Sequence, residues 1–235
     1  MGSDVLGASI KAQMNRGVLI VVEGLDRAGK STQCTILTTT LQELGYKAKS
    51  IRFPNRATSI GKIIDGYLRG ETQLDDHAVH LLFSANRWEL ASQIRDDISN
   101  GICVVIDRYS YSGAVYSAAK SNEDLSLDWA WQAEKGLPRP DIWFFLNISP
   151  KEAEKRGGYG QERYENVALQ LRVGELFKSL QPLKNNEEMR IIDADRSQEE
   201  VAQDISSHVF ATIDSTLGPL RKLGPLSFEP QTGSD

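Results

Sequence analysis

A strand pattern, a glycine-rich loop and a helix pattern follow one another directly near the start of the chain. The apolar run VLIVV leads into GLDRAGKS, and a helix pattern then extends from residue 31 to 44. The loop matches G-x-x-x-x-G-K-[ST] through Gly24, Gly29, Lys30 and Ser31. Such a loop turns backbone N–H groups toward an anion at the positive end of a helix. The motif therefore predicts a nucleotide-phosphate site in which Lys30 reaches terminal phosphates and Ser31 can ligate Mg²⁺.

Strand-like runs alternate with helix patterns along the rest of the chain. The predicted strands are GVLIVVEG, KAKSIRF, ICVVID, DIWFFLN and MRIIDA. Helices are predicted from an aspartate cap at Asp75 to Ser99, from the Ser149 cap through SPKEAEKR, and from the capping box SQEE to about Ile213. This alternation predicts an α/β fold of the P-loop type, with a five-stranded parallel sheet flanked by helices on both faces.

The 235 residues suit one domain with two tails. We predict a flexible N-terminal tail at residues 1–16, a P-loop domain at 17–213, and a Gly- and Pro-rich C-terminal tail at 214–235. Three glycines between two helix patterns predict a mobile lid at about 155–165.

Composition and charge disfavour several classes of binding partner and metal site. The net charge is −5 and the 27 Lys and Arg residues are scattered, which disfavours a nucleic-acid-binding protein. The longest apolar runs are too short to span a bilayer, so no membrane association is expected. Cys34 and Cys103 lie in apolar patterns without partner ligands, which disfavours a disulfide or zinc site. A reducing, intracellular location is expected, cytoplasmic with the nucleus as a second site.

Several arginine-bearing segments help to distinguish a protein that hydrolyses one nucleotide from one that holds two phosphorylated substrates. They are RFPNR, FSANRW, DRYSYSG and KRGGYGQERYE, and the N-K-x-D element of a GTPase does not occur. A protein that hydrolyses one nucleotide needs few such segments, whereas one that holds two phosphorylated substrates needs many.

The ordered set GLDRAGKST, RFP-x-R, HLLFSANRWE, DRYSYSG, GLPRPD and ERYEN resembles thymidylate kinases of the eukaryotic type over roughly residues 17–213. The resemblance implies a nucleoside monophosphate kinase fold and direct phosphoryl transfer from ATP to dTMP, with Mg²⁺ as cofactor. It also implies a homodimer packed through helices that include the long one.

The same resemblance assigns residues to the two substrates. On the ATP side, Arg27 would neutralise charge on the transferred group, Arg156 would stack on adenine, and Asp107 would hold Mg²⁺ through water together with Ser31. The ATP-binding set is Gly24, Arg27, Gly29, Lys30, Ser31, Thr32 and Arg156. The residues implied to be catalytic are Asp26, Arg27, Lys30 and Arg108.

On the dTMP side, Phe83 and Arg87 lie four residues apart on a predicted helix, so they share one face. Spacing alone favours a core position for Phe83, whereas the resemblance implies that it stacks on thymine while Arg87 reads the O4 atom. Tyr116 would exclude a ribose 2′-hydroxyl, and Asp26 would reach the 3′-hydroxyl. The implied dTMP-binding set is Asp26, Phe53, Arg56, Phe83, Arg87, Arg108, Ser112, Tyr116, Glu162, Tyr164 and Gln170.

Two departures from the family pattern stand out. Asn55 replaces a glutamate beside Arg56, which puts the local ion-pair network in doubt. WQAEKGLPRPD differs from the usual QPDVGLPKPD, and we expect this to affect loop shape rather than chemistry. Two alternatives stay open: a kinase for another pyrimidine nucleotide or deoxynucleoside, and a nucleotide-binding switch without catalysis.

Overall fold

The computed structural model describes residues 16–120, 122–156, 163–164, 166–180, 188–215 and 217–226. Five parallel strands form one sheet in the order β2-β3-β1-β4-β5. The strands are Leu19–Gly24 (β1), Ala48–Arg52 (β2), Cys103–Asp107 (β3), Ile142–Asn147 (β4) and Met189–Asp193 (β5). All five predicted strands and the parallel α/β fold are confirmed.

Eight helices cover the sheet within the described residues. They are Lys30–Glu43 (α1), Ser59–Leu68 (α2), Asp76–Ser99 (α3), Ser110–Ala118 (α4), Leu127–Gln132 (α5), Pro150–Lys155 (α6), Val167–Ser179 (α7) and Gln198–Asp214 (α8). The predicted caps at Asp75 and Ser149 and the capping box at Ser197 are present. Helices α2, α4 and α5 were not predicted. None of the described helices combines the length and apolarity needed to cross a membrane.

Alternate residues of each strand serve two separate apolar layers. In β1, Leu19 and Val21 belong to the layer that includes residues of α3, α4 and α7. Ile20 and Val22 face the opposite layer, which is formed with α1 and α8. Because both faces are covered, the central strands are apolar throughout, as expected of a parallel sheet.

The sheet topology determines where a ligand can lie. β1 is in the middle of the sheet, and Val22 is in register with Asp107 of β3. The phosphate-binding loop and the segment that begins at Arg108 therefore leave the same edge of the sheet side by side. Ligands of open parallel sheets bind at the carboxyl ends of the strands.

The segment 217–226 corrects the predicted C-terminal tail, because it packs on the domain. Leu223 and Leu226 are buried, and Lys222 forms an antiparallel bridge with Pro138. The backbone of Leu223 also exchanges hydrogen bonds with the segment after α5, at distances of 2.8 and 2.9 Å. Arg16, assigned to the N-terminal tail, is likewise part of the domain and binds Asp141 at 2.6 Å. Residues 1–15 lie outside the described part of the chain, as do 227–235.

Candidate active site

The loop between β1 and α1 has the backbone conformation that its glycines allow. Gly29 is the N-cap of α1 and has φ of 90°, and Arg27 has φ of 68°. A Cβ atom at Gly24 would lie 2.6 Å from the carbonyl oxygen of Leu146, so a side chain there would clash with β4. Gly24 thus serves close packing, whereas Gly29 serves the turn that starts the helix.

Lys30 is buried at the start of α1. Its ammonium group donates a hydrogen bond to the carbonyl oxygen of Leu25 at 2.6 Å. Burial, followed by the positive charge of Arg108, lowers the pKa of Lys30 to about 8. A bound anion would reverse both effects, because it would replace the lost solvation of the ammonium group.

Ser31 and Asp107 form the pair predicted to hold a metal ion. The Ser31 hydroxyl donates to Oδ2 of Asp107 at 2.5 Å. Oδ1 of Asp107 is buried and has no hydrogen-bond partner among the described residues. An orphaned carboxylate oxygen beside a hydroxyl fits Mg²⁺, which prefers oxygen ligands and retains waters. No cluster of three His, Cys, Asp or Glu residues that could hold a metal occurs in the described part of the chain.

Asp26 connects the phosphate-binding loop to the opposite side of the site. Its carboxylate accepts a short hydrogen bond from Arg108, and it accepts a second from Nε2 of Gln170 at 2.7 Å. The backbone N–H of Asp26 donates to Oε1 of Gln170 at 3.0 Å. The guanidinium of Arg108 also lies 5.3 Å from the ring centroid of Tyr116. The loop, α4 and α7 are therefore joined through four polar side chains.

Burial raises the pKa of the Tyr116 hydroxyl to about 12. Tyr116 consequently remains protonated at neutral pH. The residue is buried, with a relative exposure of 8%.

Arg87 lies on α3 and is almost completely buried, with 2% exposure. Its Nε and Nη2 atoms donate to the two carboxylate oxygens of Glu134 at 2.7 and 2.6 Å. The guanidinium also lies against α4, where a Cβ atom at Gly113 would be 2.3 Å from Nη2. Phe83, one turn before Arg87, is half-buried and lines the same cavity. The segment that contains Glu134 therefore contributes a charged group that pairs with Arg87 beside the site, a contact that the sequence did not predict.

Arg56 does not lack a carboxylate partner even though Asn55 replaces the family's glutamate. Arg56 pairs with Asp65 of α2 at 2.6 Å, and Asp65 pairs with Arg69 at 2.5 Å. The Asn55 side chain instead accepts a hydrogen bond from the backbone N–H of Ala57 at 3.1 Å. The ion-pair network that the sequence put in doubt is supplied by α2.

The residues predicted to cover the site make contacts with both of its ends. Arg156 donates to the carbonyl oxygens of Arg27, at 3.0 Å, and Ala194, at 2.7 Å. Arg163 donates to the carbonyl oxygens of Tyr67, in the last turn of α2, and of Thr72, beyond that helix, and its guanidinium lies 4.2 Å from the ring centroid of Tyr67. Tyr164 packs against Tyr116 with ring centroids 5.7 Å apart. Glu162 and the three lid glycines lie outside the described residues.

One cavity of about 500 Å³ joins these parts. Fifteen of the predicted residues line it: Asp26, Arg27, Gly29, Lys30, Ser31, Thr32, Phe53, Arg56, Phe83, Arg87, Arg108, Ser112, Tyr116, Arg156 and Tyr164. Three other predicted residues, Gly24, Asp107 and Gln170, are not among its lining residues. The described lining residues include seven positively charged side chains, six arginines and Lys30, and one carboxylate, Asp26. Such a surplus of positive charge favours a ligand with several negative charges.

Three charged residues near the cavity were not predicted. Glu23 is fully buried and accepts hydrogen bonds from the backbone N–H groups of Tyr109 and Ser112, at 2.9 and 3.0 Å, so it caps α4. Burial raises its pKa. The sequence could have identified Glu23 as a candidate, because it is a charged residue at the end of an apolar strand. Arg52, which lines the cavity, follows a strand in the same way. Glu134 had no such signal.

The strand order, the phosphate-binding loop and the arginine-lined cavity define a P-loop nucleoside monophosphate kinase. The thymidylate kinase family model matches residues 22–205. The chain is 47% identical to the thymidylate kinase of Homo sapiens over 191 residues, which are 81% of this chain and 88% of the relative. It is 45% identical to that of Dictyostelium discoideum over 202 residues, covering 86% and 88%. The chain belongs to the thymidylate kinase family.

A solved structure agrees with this assignment. The thymidylate kinase of Candida albicans superposes with a TM-score of 0.79 at 38% identity, covering 89% of this chain and 99% of that one. The family resemblance inferred from the sequence is thus confirmed over most of the chain.

Proposed function

We propose that the protein phosphorylates dTMP to dTDP with ATP as the donor. The observation that carries this is that one cavity is lined both by the phosphate-binding loop and by the residues around Phe83 and Arg87. A protein that binds one nucleotide needs only the first of these. Membership in a family of thymidylate kinases supports the same reaction.

We assign the ATP side of the cavity to the loop and α1. The backbone N–H groups around Gly29 and the ammonium group of Lys30 bind the donor's phosphates, and Arg27 neutralises charge on the transferred phosphoryl group. Arg156, which already spans Arg27 and Ala194, covers the adenine end. Thr32 also lines this end of the cavity.

Ser31 and Asp107 would hold Mg²⁺, Asp107 through water. Such an ion would supply positive charge that neutralises the phosphates of the donor. This assignment is supported by the orphaned Oδ1 atom of Asp107.

We assign the acceptor to the opposite end. Arg56 and Arg108 bind its 5′-phosphate, and their planar donor groups direct one phosphate oxygen at the donor. That oxygen bonds to the γ-phosphorus while the bond to the β-bridging oxygen breaks, so ADP leaves and no enzyme group is modified. Asp26 binds the 3′-hydroxyl and also pairs with Arg108, which couples sugar recognition to phosphate alignment.

The remaining walls select the nucleoside. Phe83 stacks on the base and Arg87 donates to thymine O4, whereas cytosine would present an amino group to that donor. The Tyr116 ring occupies the space that a ribose 2′-hydroxyl would need. Further contacts in this half of the site come from Phe53, Ser112, Tyr164 and Gln170, with Glu162 in the cover.

An acceptor panel tests the substrate assignment. ADP formation is measured with dTMP, dUMP, dCMP, UMP and thymidine at fixed ATP. The C. albicans relative is described as having a broad substrate specificity, so kcat/KM must be compared and not mere turnover. We expect dTMP to be the best acceptor. Tight ATP binding with no phosphoryl transfer to any acceptor would exclude the proposal in favour of a nucleotide-binding switch.

We further propose a homodimer. Leu81 and Trp88, seven residues apart on α3, are 49% and 41% exposed, which leaves an apolar stripe on the long helix. Sedimentation equilibrium of the whole chain measures the assembly state, and a monomer at all concentrations contradicts this proposal. We place the reaction in the cytoplasm and nucleus, in keeping with the free thiols of Cys34 and Cys103.

A further inference from the structure

We propose that Glu134 is a positioning residue that fixes the guanidinium group of Arg87 and thereby sets the enzyme's selectivity for the acceptor base. The proposal deepens the function proposed above and rests on it. Glu134 is not among the residues that line the cavity, so its effect on the acceptor would act through Arg87.

The contact between the two side chains is bidentate and buried. The side chain of Arg87 is 3% exposed and that of Glu134 is 0% exposed. Two parallel hydrogen bonds between a guanidinium and a carboxylate fix the plane of the guanidinium as well as its distance. Because Glu134 occupies Nε and Nη2, Nη1 is the nitrogen that it leaves for the base.

The surroundings allow Arg87 little other freedom. Gly113 of α4 closes one side, since even a methyl group there would overlap the guanidinium. His80, two turns before Arg87 on α3, is fully buried, and burial and the charge of Arg87 lower its pKa to about 4. A neutral His80 does not compete with Arg87 for the Glu134 carboxylate.

The segment that contains Glu134 is itself held firmly against α3. The carbonyl oxygen of Ala133 accepts hydrogen bonds from the side chains of Ser84, at 3.0 Å, and Trp88, at 2.9 Å. These residues flank Arg87 on the same helix. On the far side, Gly136 donates its backbone N–H to Leu223 at 2.9 Å, so the C-terminal segment packs against the same loop.

Selectivity depends on this rigidity. A buried arginine that could swing would turn away from a cytosine amino group and accept dCMP at little cost. An arginine held by Glu134 cannot turn away, so dCMP would leave two donors opposed and unsatisfied. The carboxylate is therefore expected to matter more for rejecting the wrong base than for the phosphoryl transfer step.

The test compares Glu134→Gln and Glu134→Asp with a control, Asp141→Asn. Asp141 forms another buried bidentate pair, with Arg16 at 2.6 and 2.8 Å, and lies outside the cavity wall. The control therefore removes similar chemistry without affecting base recognition. KM for dTMP, KM for ATP, and the ratio of kcat/KM for dTMP over dCMP are measured for each variant at a temperature at which it is folded.

We expect Glu134→Gln to raise KM for dTMP and to lower the dTMP-to-dCMP ratio, each by about tenfold or more, with KM for ATP within about twofold of the parent. Glu134→Asp, which is one methylene shorter, should restore part of the ratio. Asp141→Asn should lower the melting temperature and leave the ratio unchanged. If Glu134→Gln does not fold, Glu134→Asp alone decides by the same ratio.

An unchanged ratio in the folded Glu134 variants would overturn the positioning role, as would equal increases of both KM values. These results differ from failure of the proposed function, which would appear in the parent protein as a better acceptor than dTMP or as no transfer at all.

Discussion

Gly113 lies in α4 directly against the guanidinium group of Arg87, so a Gly113→Ala substitution inserts a methyl group where no space exists. The added Cβ would be 2.3 Å from Nη2 and 2.8 Å from Cζ of Arg87. Ordinary contacts start near 3.4 Å, so the guanidinium must retreat by about 1 Å. A movement of that size breaks hydrogen bonds of 2.6 and 2.7 Å to Glu134.

The expected loss of stability follows from two opposing effects. Alanine gains about 1 kcal/mol over glycine in a helix interior. Overpacking costs about 1–3 kcal/mol, and weakened hydrogen bonds between charged groups cost about 1.5–3 kcal/mol. The net effect is destabilisation of the folded state by about 1.5–5 kcal/mol. For a domain of this size that lowers the melting temperature by roughly 3–20 °C.

Gly174→Ala is the matched control. Gly174 is also inside a helix, α7, but a Cβ atom there would meet only Leu25 at 3.7 Å, which is an ordinary contact. This variant should gain up to about 1 kcal/mol from helix propensity. Calorimetric melting and steady-state kinetics are measured for both. We expect Gly113→Ala alone to melt earlier and to raise KM for dTMP more than KM for ATP. If the two variants match in both measurements, the close packing of Arg87 against α4 does not constrain the site.

Four further variants test other parts of the structure. Arg27→Gly keeps the backbone, because φ of 68° suits glycine, and should lower kcat by about 100-fold or more; an unchanged kcat contradicts a role in the transfer step. Tyr116→Ala should improve the kcat/KM of the thymine ribonucleotide relative to dTMP by about tenfold, whereas Tyr116→Phe should not; equal behaviour of the two variants refutes selection by the ring. A chain that ends after Ser215 lacks the buried Leu223 and Leu226, whose burial contributes about 1.5–3 kcal/mol each to the free energy of unfolding, so its melting temperature should be lower. An unchanged melting temperature means that the segment 217–226 does not stabilise the domain. His80→Gln tests a pH effect. The pKa of His80 is lowered to about 4, so the unfolded chain takes up a proton below about pH 6.5 that the folded protein does not. Because of this difference, the free energy of unfolding of the parent should fall by up to about 3 kcal/mol between pH 6.5 and 4. Urea unfolding should show a smaller fall in the variant.

The sequence determined the features that depend on neighbours along the chain. The phosphate-binding loop, the apolar strands and the capping residues Asp75, Ser149 and Ser197 all report local backbone conformation or burial, and each was found where the pattern indicated. The resemblance of six motifs added the residues of both substrate sites. It could not specify how those residues contact one another.

The tertiary structure decided which charges pair and which segments pack together. Arg87 and Glu134 are 47 residues apart in sequence, and Arg16 and Asp141 are 125 apart. No local sequence pattern predicts such pairs, because each depends on which distant segments the folded sheet brings together. The Gly- and Pro-rich segment 217–226 was predicted to be a tail for the same reason: two of its four leucines are buried, and the backbone of Leu223 pairs with the distant segment after α5. Local conformation is encoded by nearby residues, whereas the rigidity of the base-reading arginine arises only when α3, α4 and that distant segment enclose it.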